Sequence, residues 1–237
     1  MTGHASFITS PQAIPEPGPL QFWHCRFDPG LYRPGDEQCL GIELPEKLAS
    51  ALAKRRVEYI AGRCCARAAL SAAGLADAVP GYNSDRSPHW PAGVQGSISH
   101  SDGVAVAAVL RDAYMGIDLE TLVSADTAAS VAGMILTPAE QLRYGARPDP
   151  LILTLIFSLK ESFYKAAYPQ VGRFFDFTVL SVTAIDPARQ QISFRLEQSL
   201  SPALQAGLTL RAYWLEMPNT QYLTYVTLER ACSADRA

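Results

Sequence analysis

The chain has 237 residues, 48% apolar and 18% charged. That is enough for one large domain or two of about 120 residues, and too apolar for disorder over most of its length. Twenty Lys and Arg against 23 Asp and Glu leave a formal charge of −3, which argues against broad binding of nucleic acid or an anionic membrane.

The amino terminus has neither a basic start nor an apolar stretch, so no signal peptide is expected. The longest strongly apolar run, Leu151 to Leu159, is about half of the roughly 20 residues a membrane-spanning helix needs. Pro- and Gly-rich segments at Pro11 to Pro19 and Pro29 to Gly35 predict a surface wrap with little regular structure over the first forty residues. The five cysteines, Cys25, Cys39, Cys64, Cys65 and Cys232, are odd in number and lack C-x-x-C spacing. A disulfide framework or structural zinc site is not expected, and a cytoplasmic protein with reduced thiols is the reading that remains.

A helix is predicted over Pro45 to Ala73, with Val57, Ile60, Ala61, Cys64, Ala68 and Ala72 on one buried face and Gly74 as its stop. Arg56, Arg63 and Arg67, with Arg55 beside them, make a basic stripe on its flank. This is either an anion site or simply a solvated face. Ser97 to His100, the Ser101-Asp102-Gly103 turn and Val104 to Leu110 read as a β-hairpin, followed by an antiparallel strand at Met115 to Glu120.

Helices follow at Thr127 to Ile135, after the Thr137-Pro138-Ala139-Glu140 capping box, and from Asp149-Pro150 to Ala167 before Pro169. Four β-rich runs close the chain: Phe177 to Val182, Gln191 to Leu196, Leu208 to Leu215 and Tyr222 to Leu228. Helix then sheet in each half predicts an α+β protein of two lobes, residues 1–113 and 114–237.

Three local signals could carry chemistry. In Gly116-Ile117-Asp118-Leu119-Glu120, strand periodicity puts Asp118 and Glu120 on one face and Ile117 and Leu119 toward the core. Such a carboxylate pair suits a hard cation such as Mg²⁺, though an acidic solvent face has the same pattern. In Phe157-Ser158-Leu159-Lys160-Glu161-Ser162-Phe163-Tyr164-Lys165, Glu161 and Lys165 share a side away from the packing stripe. They form either a surface ion pair or a functional site in which Glu161 is third metal ligand or general base, with Lys160 and Lys165 reaching phosphate oxygens. Gly96-Ser97-Ile98-Ser99-His100-Ser101 lacks the G-x-S-x-G elbow, so His100 reads as an anion donor or a polar turn residue rather than a triad member. Neither a P-loop nor a G-x-G-x-x-G fingerprint is present.

The succession AKRRVEYIAGRCCARAAL, WPAGVQGSISHS, GIDLE and FSLKESFYKAAYP over Ala53 to Pro169 resembles the Sfp-type 4'-phosphopantetheinyl transferases, most closely the enterobactin synthase component D branch. Phe174-Phe175-Asp176-Phe177 is also similar. The resemblance implies a monomeric pseudo-dimer of two similar α+β lobes with antiparallel sheets, and coenzyme A in the cleft between them. By the same analogy Asp118, Glu120 and Glu161 hold Mg²⁺ (or Mn²⁺), and Lys160 and Lys165 neutralise phosphate oxygens. His100, with Ser99, contacts a phosphate, and Arg55 and Arg63 bind the 3'-phosphate end. Where many relatives carry a lysine, this chain has Asp85-Arg86-Ser87-Pro88, so Arg86 is the candidate substitute.

The expected reaction is transfer of phosphopantetheine from coenzyme A to a serine of an acyl or peptidyl carrier protein, with Glu161, Lys165 and His100 as catalytic residues. Siderophore or other nonribosomal peptide biosynthesis is the expected setting. A metal-dependent nucleotide phosphohydrolase and a non-catalytic coenzyme A or carrier-binding module are the competing readings. Product formed without a carrier would favour the first, and binding without turnover the second.

Overall fold

The computed structural model describes residues 6–15, 20–76 and 78–230; His4 and Cys232 lie outside them. The chain divides into two compact units, residues 1–111 and 112–237. Antiparallel sheets packed with helices make it an α+β protein, as expected. No helix among the described residues is long and apolar enough to cross a membrane.

The first unit carries two strands where a plain surface wrap was expected. β1 (Gln12–Ala13) pairs with β2 (Phe22–Arg26). In the run Phe22-Trp23-His24-Cys25-Arg26, Phe22 and Cys25 are buried; three residues apart, they lie on opposite faces of β2, so the run lacks the period-two alternation that marks a half-buried strand in sequence. Helix α1 (Asp36–Cys39) follows. The expected 45–73 helix is broken into α2 (Glu46–Ala49) and α3 (Ala53–Ala72), and Gly74 at φ +85° closes the latter.

The arginine stripe explains the break. Arg56 donates to the carbonyls of Leu48 (3.1 Å) and Ala49, at the end of α2. Arg67 donates to Leu40 (2.6 Å), so these guanidinium groups bind chain ends instead of forming a solvated face.

A short pair, β3 (Gly81–Tyr82) with β4 (Pro88–His89), leads into the expected hairpin of β5 (Val94–Ser101) and β6 (Val104–Arg111). Asp102 and Gly103 both have positive φ, 39° and 78°, as a two-residue turn matching strand twist requires. The sheet order is β1-β2-β6-β5. Val57, Ile60, Ala61, Cys64 and Cys65 of α3 pack with Cys25, Ala105 and Ala107. Cys25, Cys64 and Cys65 are buried free thiols, and Cys65 Sγ lies 3.3 Å from Cys25 Sγ. Burial pushes the Cys64 thiol up to about 11.

The second unit begins at β7 (Ala113–Thr121). It does not extend the hairpin. It borders a five-stranded sheet, pairing with the last strand so that Gly116 faces Val226, Asp118 faces Thr224 and Glu120 faces Tyr222. Three helices come next: α4 (Ala125–Ile135), α5 (Pro138–Tyr144) and α6 (Pro150–Val171). The capping box at Thr137 and Glu140 forms as expected, and Asp149 caps α6 by accepting from Leu151 N. Pro169 does not end α6; the last turn carries it, and Gly172 at φ +68° stops the helix.

The remaining strands are β8 (Leu180–Asp186), β9 (Gln191–Leu196), β10 (Thr209–Met217) and β11 (Gln221–Glu229), in sheet order β7-β11-β10-β9-β8. The β8–β9 register slips between Val182 and Ala184. Leu155, Ile156, Leu159, Phe163 and Ala166 of α6 pack into a core with Phe194, Ala212, Trp214 and Val226.

Candidate active site

The C-terminal unit brings together the two strongest sequence signals. Both faces of β7 are buried at its centre, and α6 lies on the acidic face, not on the Ile117 and Leu119 face that periodicity alone assigned to the core. The cause is a path of small residues. A Cβ on Gly116 would stand 1.9 Å from Ser162 O and 2.7 Å from Ala166 N, so only glycine lets α6 come this close. Ser158 and Ser162 complete the path. Their hydroxyls meet Thr224 Oγ1 at 2.8 and 2.7 Å, and they donate to the carbonyls of Asp118 (3.1 Å) and Thr224 (3.0 Å).

This approach carries Lys165 onto β7. Its ammonium donates to Asp118 Oδ1 at 2.7 Å and to Ile117 O at 3.0 Å, so it is anchored on the strand as well as lying one turn from Glu161 on the helix. Asp118 is only 4% exposed. Glu161 is half-buried beside them, and desolvation raises its carboxyl above the ordinary range. Lys165 opposes that rise, while the Asp118 charge adds to it.

Two carboxylates and an ammonium thus share one partly desolvated spot, and the donor chemistry suits a hard divalent cation. Among the described residues, no group of three or more acidic, His or Cys side chains is arranged to hold a metal ion. Glu120, two residues along the same strand face, lines an apolar pocket of about 370 Å³ with Val123, Val131, Met134, Leu153, Phe157 and Phe177.

Lys160 departs from its expected role. Its ammonium is buried, 2.6 Å from Glu140 Oε2 and 2.8 Å from Ile135 O, inside the unit and not at a phosphate site. Desolvation lowers its proton affinity, and Glu140 opposes that shift.

In the N-terminal unit, α3 and β5 bring Arg55 and His100 together, with Arg55 Nη1 3.2 Å from His100 Nε2. Glu58, which the sequence reading passed over although it lies one turn beyond Arg55, sits 3.4 Å from the guanidinium and 3.8 Å from the imidazole. Ser99 is buried on the opposite face of β5 from His100, as strand alternation demands. Arg63 is 5% exposed; it lies 4.4 Å over the Tyr59 ring and donates to Gly81 O at 2.9 Å. Its guanidinium therefore holds β3, just before the 83–87 loop, instead of standing open to solvent.

That loop is itself tightly bonded. Asp85 accepts from Ser87 N (2.9 Å) and Oγ (2.6 Å), and Arg86, exposed, is held at φ +75°.

A family model described as the 4'-phosphopantetheinyl transferase N-terminal domain matches residues 44–110. Another, described as the 4'-phosphopantetheinyl transferase superfamily, matches residues 114–217. Enterobactin synthase component D of Salmonella typhimurium is 37% identical over 198 residues, covering 82% of this chain and 80% of that protein. The Escherichia coli protein of the same name is 39% identical over 158 residues, 65% of this chain and 75% of its own length. 4'-Phosphopantetheinyl transferase Svp of Streptomyces mobaraensis is 37% identical over 158 residues, 63% of this chain and 62% of its own. The matched segments contain the Arg55–His100 pair and the Asp118–Glu161–Lys165 cluster, and the chain belongs to the 4'-phosphopantetheinyl transferase superfamily, on the branch that includes enterobactin synthase component D.

Proposed function

We propose that this enzyme transfers the 4'-phosphopantetheine arm of coenzyme A to a serine of an apo acyl or peptidyl carrier protein, releasing 3',5'-adenosine diphosphate. The observation that carries the assignment of roles is the Asp118–Glu161–Lys165 cluster, in which opposite charges share a desolvated spot on one strand and one helix. The carrier serine Oγ bonds to the β-phosphorus while the phosphorus–bridging-oxygen bond breaks. The serine proton needs an acceptor, and Glu161, whose proton affinity is raised by burial, is suited to take it. Lys165 offsets charge on the phosphoryl oxygens as they approach Asp118.

A magnesium or manganese ion held by Asp118 and Glu161, with Glu120 on the same face, would supply further neutralisation of the diphosphate. The apolar pocket beside Glu120 suits the uncharged pantetheine arm. Arg55 and His100 are assigned to the 3'-phosphate of coenzyme A, and exposed Arg86 to its nucleotide end. Arg63 and Lys160, each bonded within its own unit, take no part in contacting coenzyme A.

The enzyme is read as a monomer, as the resemblance to the family implies. Its buried free thiols fit a reducing cytoplasm. The names of the relatives support a carrier from siderophore or other nonribosomal peptide synthesis. The test is to incubate coenzyme A, Mg²⁺ and a panel of apo carriers with the protein and weigh each carrier. A gain of one phosphopantetheinyl group is expected, and no gain on any carrier would overturn the assignment.

A further inference from the structure

Lys160 neighbours Glu161 in sequence yet leaves α6 in a different direction, because consecutive helical residues are about 100° apart. Its side chain is 1% exposed and that of Glu140 is 0% exposed. We propose that Glu140 and Lys160 are positioning residues whose buried ion pair fixes the roll of α6, so that Glu161 and Lys165 meet Asp118. This rests on the transferase reading above.

Stability does not explain such a pair, since apolar residues of equal volume commonly serve a core as well or better. Direction does. Glu140 Oε2 accepts from Thr137 N (2.8 Å) as well as from Lys160, and Oε1 accepts from Val182 N (2.7 Å). Lys160 also donates to Ile135 O, at the end of α4. Thr137 Oγ1 and Ser181 Oγ meet at 2.9 Å. One point on α6 is therefore tied to the end of α4, the start of α5 and strand β8.

Elsewhere on the helix, Ser158 and Ser162 hold Thr224 of β11. A helix gripped along two directions cannot roll, and a roll is what would swing Glu161 and Lys165 off β7. Without the ammonium at 160, the tie to α4, α5 and β8 is lost and the holds on the β7–β11 side are left to set the roll alone.

The test uses Lys160→Met, which removes the ammonium and leaves Glu140 to accept from both backbone amides. The expected result, per folded molecule, is a kcat at least tenfold lower with KM for coenzyme A changed less than twofold. A purely structural role would lower the melting temperature and leave kcat per folded molecule unchanged, which overturns the proposal. A several-fold rise in KM for coenzyme A would mean that Lys160 touches substrate, and overturns it too.

A measurement on the unaltered protein needs no variant to fold. Acetic anhydride labelling should modify Lys160 far more slowly than exposed Lys47 and Lys54, at a rate indifferent to added coenzyme A. Labelling as fast as those lysines, or slowed by coenzyme A, contradicts the burial on which the idea stands. If the unaltered protein loads no carrier, the transferase reading and this proposal fall together; if it loads carriers while Lys160→Met keeps its kcat, only this proposal falls.

Discussion

Gly116→Ala probes the closeness of α6 to β7 with a single methyl group. The new Cβ would lie 1.9 Å from Ser162 O, 2.7 Å from Ala166 N and 2.9 Å from Ser162 C, all backbone atoms of a helix that cannot rotate aside. Ordinary contact begins at 3.4 Å, so the helix must retreat by 3.4 − 1.9 = 1.5 Å. A shift of that size breaks the 2.7 and 3.0 Å bonds of Ser162 with Thr224 and the 2.7 Å bond from Lys165 to Asp118.

Overpacking costs about 1–3 kcal/mol. Each of the two buried Ser162 hydrogen bonds lost adds about 1 kcal/mol, for a total of roughly 3–5 kcal/mol. For a unit of this size that lowers the melting temperature by roughly 10–20 °C. Displacing the site by more than an ångström should also lower kcat/KM about 100-fold. Calorimetry and carrier loading read the two effects. A melting temperature within about 2 °C of the parent, together with unchanged loading, would show that the helix does not approach the strand as described.

Asp118→Ala and Glu161→Ala should each abolish carrier loading while circular dichroism shows an intact fold, and full activity in both would remove the carboxylate assignments. Lys165→Ala should lower kcat more than it weakens coenzyme A binding, because charge on the phosphoryl oxygens grows toward the transition state; an unchanged kcat would make this lysine structural. The Cys64 thiol, raised from 9.0 to about 11, gives a signed pH effect. The folded protein holds that proton longer than the unfolded chain, so the stabilisation is complete below pH 9.0 and is lost as pH rises through about 11. At pH 10 the loss is about 1.4 kcal/mol, and chemical denaturation of Cys64→Ala should show a correspondingly flatter decline.

Much of this was legible because local chemistry fixes local structure. Asp102-Gly103 admits the tight turn, Thr137 and Glu140 satisfy each other's backbone amides, and Asp149-Pro150 starts a helix by the same logic. Alternation identified β7 but could not say which face a helix would cover. The spacing-four series Thr154, Ser158, Ser162 and Ala166, opposite Gly116, held that information, and it marks close approach instead of exposure. Strand pairing was hidden for a related reason, since β7 finds its partner in β11, about a hundred residues later, where no sequence period reaches. Charged residues misled most. Arg56, Arg67 and Lys160 look solvent-bound in a string of letters, yet each ends on a carbonyl or carboxylate that only the folded chain supplies.

The slipped pairing at Val182 and Ala184 has a consequence for how copies of this protein behave when crowded. A straight terminal strand offers its free border to any neighbouring molecule and seeds fibres. Here Thr183 Oγ1 turns back to Ser193 O at 3.1 Å, and the Val182 amide is already claimed by a carboxylate, so an arriving strand finds the template interrupted. Removing Thr183 would straighten that border, and the cost would show as filaments on concentrated storage before any loss of catalysis.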